Sequence, residues 1–67
     1  MPELTRAQRF GNLLTRALAD AELTAAEFAR LTGIDRRQLS RYVNGYQYPH
    51  DETRRRINEA LGTLNLI

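Results

Sequence analysis

Three times in the first forty residues a Thr or Asp stands three places before a Gln or Glu: Thr5 with Gln8, Thr24 with Glu27, and Asp35 with Gln38. This is the spacing of a capping box, in which the first side chain accepts from the N3 backbone N–H and the N3 side chain reaches back to the cap N–H. Each box therefore opens a helix, and three openings this close together leave room only for short ones. After the first box come Phe10, Leu13, Leu14, Ala17 and Leu18 at i, i+3, i+4, i+7 and i+8, which predicts an amphipathic helix over 6–20. Phe28, Ala29 and Leu31 follow the second, and Gly33 stands where a left-handed terminating residue is expected, predicting a helix over 25–32. The third opens a helix over 36–43 with Leu39, Tyr42 and Val43 on one side and Asn44-Gly45 at its end. Pro49 has no N–H to donate and biases Tyr48 away from helical dihedrals, so 46–49 reads as a loop. A fourth helix begins near His50 or Asp51: Asp51 and Glu52 suit its first turn, Ile57, Ala60 and Leu61 give it an apolar face, and Gly62 ends it. Residues 63–67 fit an edge strand, a last helical turn or the start of a further element. No stretch alternates like a central strand, so the expected fold class is all-α, a compact bundle of four to five helices in one domain spanning 1–67.

Length and composition narrow the function. A 67-residue chain buries only about 60% of the surface that its unfolded form exposes, which argues against an enzyme with a deep pocket. There is no cysteine, hence no disulfide, thiolate metal site or cysteine nucleophile, and a reducing cytoplasm is the expected setting. No apolar run approaches the roughly 18 residues of a membrane span. The opening MPELTRAQRF lacks the apolar core of a secretory signal.

Net charge is only +2, but its distribution is uneven and all ten basic residues are arginine. Residues 1–35 carry four Arg against five acids, a balance of −1, while residues 36–67 carry six Arg against three acids, a balance of +3. Between Arg36 and His50 lie three Arg and no acid, interleaved with Tyr42, Tyr46 and Tyr48, which makes this stretch a candidate surface for a polyanion.

Two short helices joined by a tight turn at Gly33, the second of them rich in Arg, have the helix-turn-helix arrangement. With Leu39 at the buried centre and about 100° per residue, Arg37, Arg41 and Asn44 fall on the opposite face and Gln38 and Ser40 on the flanks. Arg36, at the first helical position, projects past the helix start. The Arg fork donates two parallel hydrogen bonds to O6 and N7 of guanine, and Gln can pair similarly with adenine. The hydroxyl and amide groups of Tyr46, Gln47 and Tyr48 suit phosphate oxygens, as do the backbone N–H groups at the start of the second helix, Thr24 and Ala25.

The stretch LTAAEFARLTGIDRRQLSRYVNGYQYP, followed by TRRRINEALG, resembles the lambda-repressor-like or Cro-like (XRE-type) DNA-binding domains of phage and bacterial regulators. The likeness covers about residues 10–62 and rests on Phe28-Ala29, Thr32-Gly33-Ile34, Leu39-Ser40-Arg41, Asn44-Gly45, Pro49, and Ile57 with Ala60-Leu61-Gly62. It implies that Arg36, Arg37 and Gln38 enter the major groove, with Ser40 and Arg41 at further groove-facing positions. It also implies that Asn44 contacts phosphate and that Tyr46 and Gln47 lie along the backbone. Two positions depart from the family pattern: Ala25 stands where members often carry Gln, and Glu22 where they often carry Gly.

Plainer roles fit several other residues. Arg54, Arg55 and Arg56 read as a solvated face ion-paired in part to Glu52 or Glu59, and Tyr42 as core with its hydroxyl at the edge. His50 has no second metal ligand, so helix capping or a phosphate contact suits it better than zinc. Ser40, His50 and Asp51 make no credible triad, because Ser40 faces outward without oxyanion donors. The expected function is sequence-specific binding of double-stranded DNA by a transcriptional regulator, a repressor on a palindromic operator and a homodimer at least on DNA, with no cofactor, metal or membrane. Leu64, Leu66 and Ile67 would either form the dimer contact or fold back onto the first helix. The rival reading is a protein-interaction module, an antitoxin or anti-repressor partner on the same fold, and a further one is an RNA-binding or nonspecific architectural protein. An interaction helix should show Leu, Met or aromatic anchors where this one shows Arg37, Arg41 and Asn44.

Overall fold

The computed structural model describes residues 3–62 and contains four helices: α1 (Arg6–Asp20), α2 (Ala25–Thr32), α3 (Arg36–Val43) and α4 (Asp51–Ala60). These are the bounds that the caps and breakers predict, and no strand occurs among the described residues. The expected fifth element and dimer contact at 63–67 lie outside them. α1 packs on α3, α3 on α2 and α2 on α4, so α3 is supported from two sides.

Two of the three boxes close fully. Thr5 and Thr24 each accept from the N3 backbone N–H at 3.1 Å, while Gln8 and Glu27 reach back to the cap N–H at 2.8 and 2.9 Å. The third is only half a box: the Asp35 carboxylate accepts from the backbone N–H of Arg37 (2.8 Å) and Gln38 (3.3 Å), but the Gln38 side chain has turned to other partners. A carboxylate satisfies two donors at a positive helix end without needing the return bond.

The helix ends are as specific as the starts. α3 closes with the paired bonds of a Schellman motif, Tyr46 N–H to Arg41 O at 2.9 Å and Gly45 N–H to Tyr42 O at 3.1 Å, with Gly45 at φ 76°. α1 closes in the same way, Leu23 N–H to Leu18 O at 2.9 Å and Glu22 N–H to Ala19 O at 3.1 Å, but the left-handed residue is Glu22 at φ 58°. The departure from the family's usual Gly is therefore a departure at a position where a Cβ is penalised.

The core comprises Phe10, Leu14 and Leu18 of α1, Phe28 and Ala29 of α2, Ile34 in the turn, Leu39 and Tyr42 of α3, and Ile57 of α4. Three expected core residues lie outside it: Leu13 is 45% and Leu31 65% exposed, and Ala60 is exposed as well. One geometric reason covers all three. In α1 and α2 the buried stripe runs i, i+1, i+4 from Phe10 and Phe28, and in α4 Ile57 and Asn58 begin the same stripe with half-buried Leu61 just past the helix end; it is centred about 45° past the first residue, which leaves the i+3 residue about 105° from the centre. The stripe takes in Gly11, Thr32 and Asn58 instead. The buried polar groups among these are satisfied: the Thr32 hydroxyl donates to Phe28 O at 2.8 Å, and the Asn58 amide to Arg54 O at 3.1 Å.

Gly11 is where α1 meets the end of α3. A Cβ there would sit 2.7 Å from the carbonyl oxygens of both Tyr42 and Val43, backbone atoms that cannot retreat without moving α3. Gly11→Ala would gain about 1 kcal/mol in helix propensity, and the overpacking outweighs it. The expected outcome is a net loss of about 1–2 kcal/mol, read from denaturant midpoints. Glu22→Gly should move stability the other way, raising the melting temperature by relieving a left-handed strain of about 1–2 kcal/mol that exceeds the chain-entropy cost of the new glycine, about 0.5–1 kcal/mol.

Candidate nucleic-acid interface

α3 has two unlike faces. Leu39 (0% exposed) and Tyr42 (2%) are sealed in the core, while Arg36, Arg37, Ser40 and Arg41 stand exposed on the other side. Together with Asp35 and the 81%-exposed Tyr46 they line a shallow open concavity. Among the described residues there are two ion pairs, both on α4: Arg54 with Asp51 at 3.0 Å and Arg56 with Glu52 at 3.8 Å. Among the described residues the three guanidiniums of α3 thus form no ion pair. Arg54 takes Asp51 as partner, neither Glu52 nor Glu59, because Asp51 lies one turn before it at the helix start.

The amide side chains nearby are already engaged. Gln38, half-buried, donates from Nε2 to the Tyr42 hydroxyl at 3.0 Å and to Gln47 Oε1 at 3.1 Å. Asn44 donates from Nδ2 to Ser40 O at 2.9 Å and to Ser40 Oγ at 3.1 Å. An amide nitrogen has only two hydrogens. A phosphate contact through the Asn44 amide would therefore require the side chain to leave Ser40.

The loop between α3 and α4 is pinned by Tyr48. Its ring packs edge-on to Phe10 with centroids 5.5 Å apart, carries the Arg6 guanidinium 4.0 Å above its centroid, and its hydroxyl accepts from Arg54 Nη1 at 2.8 Å. Of the loop candidates, Tyr46 is fully presented, Gln47 is half-buried, and Tyr48 is committed on three sides. His50 occupies the cap position of α4 and is exposed, but its side chain makes no capping bond, so that part of the expectation is corrected: Asp51 and Glu52 in the first turn serve the helix end instead. Arg6 is the residue that sequence reading missed. Only its place in the first turn of α1 is legible, and stacking on a ring across the fold leaves no local signal.

At the start of α2 the Thr24 N–H, and in smaller part its hydroxyl, are turned to the Glu27 carboxylate, which leaves the N–H groups of the first turn, that of exposed Ala25 among them, for an outside acceptor. The Thr24 backbone N–H, with smaller help from its hydroxyl and from Arg30, holds the Glu27 carboxyl below the usual glutamate range. A lowered folded-state pKa means that this cap supports the fold at neutral pH and fades on acidification through and below the ordinary glutamate range of about 4.3. Glu27→Gln keeps both hydrogen bonds of the box without the titration. Its melting temperature should therefore fall less steeply than that of the parent below that range, in thermal melts at stepped pH.

Family comparison agrees with this geometry. The helix-turn-helix family pattern matches residues 14–66, which takes in α2, α3 and α4 and the C-terminal half of α1. The chain belongs to the helix-turn-helix family, of the XRE type with lambda-repressor-like and Cro-like domains, a class of DNA-binding regulators of transcription. No curated protein and no solved structure matches the chain. Among the described residues no group of acidic, His or Cys side chains is placed to hold a metal ion, and no helix is long and apolar enough to cross a membrane.

Proposed function

We propose that the protein binds double-stranded DNA sequence-specifically by laying α3 in the major groove, and that it acts as a repressor of phage or bacterial type by occluding the duplex it covers. The observation that carries this reading is the face of α3 on which Arg36, Arg37 and Arg41 stand exposed and without an ion pair among the described residues, backed by the buried Leu39 and Tyr42. In this reading Arg37 and Arg41 read guanine edges, Arg36 reaches forward from the helix start, and Gln38 and Ser40 contact bases at the flanks. Thr24, Ala25, Asn44, Tyr46, Gln47, Tyr48 and His50 serve the phosphates, which fixes register without choosing sequence. An eight-residue helix is roughly 12 Å long and spans three or four base pairs, so two copies on a palindromic operator supply the specificity that one lacks. The cytoplasm, where such DNA lies, is the proposed location.

The alternative, an antitoxin or anti-repressor partner module, draws on Leu31, which with Leu23, Glu27 and Arg30 lines a shallow surface on the α2 side. One exposed leucine among charges is a small anchor beside the basic face of α3.

Sites selected from random duplex supply the test. Arg37→Ala and Arg41→Ala should each cost about 1–3 kcal/mol on the preferred site, relax preference at one or two base pairs, and leave affinity for random duplex nearly unchanged. Equal weakening on every sequence would make them phosphate contacts. Tyr46→Ala, at an exposed side chain, should show that opposite pattern, a uniform loss with discrimination retained.

A further inference from the structure

We infer that Gln38 reads its base through its carbonyl oxygen alone, and that Tyr42 and Gln47 are the positioning residues that enforce this. The inference deepens the major-groove reading of α3 proposed above and rests on it. Both hydrogens of Gln38 Nε2 are spent inside the protein, on the Tyr42 hydroxyl at 3.0 Å and on Gln47 Oε1 at 3.1 Å. What Gln38 retains for an outside partner is Oε1, an acceptor. The two-point pairing of Gln with adenine needs an amide N–H for N7 and is closed to it. Its target is instead an exocyclic amino group in the major groove, N6 of adenine or N4 of cytosine. The outward donors of α3 are then the guanidiniums, which take the acceptor edge of guanine, and the two residue types divide the base edges between them.

The direction of the bonds extends this. Gln47 gives its Oε1 to Gln38 and keeps its own NH₂, a donor suited to a phosphate oxygen. From backbone to base the donors and acceptors then run in one sense: phosphate oxygen accepting from Gln47, Gln47 from Gln38, and Gln38 from the base amino group. Tyr42 anchors the middle of this chain to the core, its ring 2% exposed and edge-on to Phe10 with centroids 6.4 Å apart. A buried ring so placed acts on sequence preference only through Gln38.

The experiment measures affinities for the selected site, for every single-base-pair change in it and for random duplex, with the parent, Gln38→Ala, Tyr42→Phe and Gln47→Ala. Gln38→Ala should flatten preference at one base pair. Tyr42→Phe and Gln47→Ala should flatten preference at that same pair by about two- to tenfold and leave the other positions alone, the loss of one directing hydrogen bond in each case. Tyr42→Phe should leave random-duplex affinity unchanged, whereas Gln47→Ala should lower it. A 7-deazapurine placed at that pair should cost the parent no more than it costs Gln38→Ala. The inference is overturned if both positioning variants keep full discrimination there, if the 7-deaza penalty is larger in the parent than in Gln38→Ala, or if Gln38→Ala alters no position. The parent reading falls separately, if Arg37→Ala and Arg41→Ala also leave sequence preference intact.

Discussion

Two backbone carbonyls of α3 lie against a glycine of α1, and the posture of the whole outer surface depends on that contact. Eight residues are too few for a stable helix in water, so α3 exists because its neighbours hold it. Its own contribution to burial is essentially Leu39 and Tyr42. α2 supports it on one side, and on the other α1 approaches to backbone distance at Gly11 and places Phe10 against both Tyr42 and Tyr48. One turn of α1 therefore sets the tilt of α3 and the path of the loop after it. The base and phosphate contacts proposed for these different segments would share a single foundation.

Within that frame the polar groups are arranged by hydrogen-bonding sense. The α3 start is closed by Asp35 on the N–H groups of Arg37 and Gln38, and its end by the paired bonds around Gly45 on the carbonyls of Arg41 and Tyr42. Gln38 and Asn44 spend their amide hydrogens inward, and the arginines keep theirs. The surface that results is rich in cationic donors, with acceptors only at defined points, which is the character expected of a partner for a polyanion whose grooves carry both kinds of edge.

What the sequence made legible and what it hid divide along a physical line. The four helix boundaries were readable because caps and breakers act within three or four residues, and Thr5, Thr24, Gly33, Gly45 and Gly62 state them locally. Which side of each helix is buried was readable to within one side chain. Apolar character marks Leu13, Leu31 and Ala60 as well as their neighbours, and only packing decides that the stripe takes i+1 and i+4 over i+3. The guanidinium face of α3 followed from the position of Leu39 alone. The half-formed third box did not, since spacing cannot say whether Gln38 will turn back to Asp35 or outward to Tyr42 and Gln47. The clamp of Arg6 and Arg54 on Tyr48 joins the first turn of α1 to a loop some forty residues on and to the helix after it, and pairings of that kind have no periodic trace.

All ten strongly basic side chains of the chain are arginine and there is no lysine. Guanidinium stays protonated across the whole range of pH that a living cell meets, and it offers no amine to acylating chemistry. What the arginines give to any DNA affinity is in consequence a constant of the sequence: neither acidity nor lysine acetylation can turn it down. Ionic strength remains the physical variable that can, because it acts on the counterions around the duplex and leaves the protein's own charge untouched.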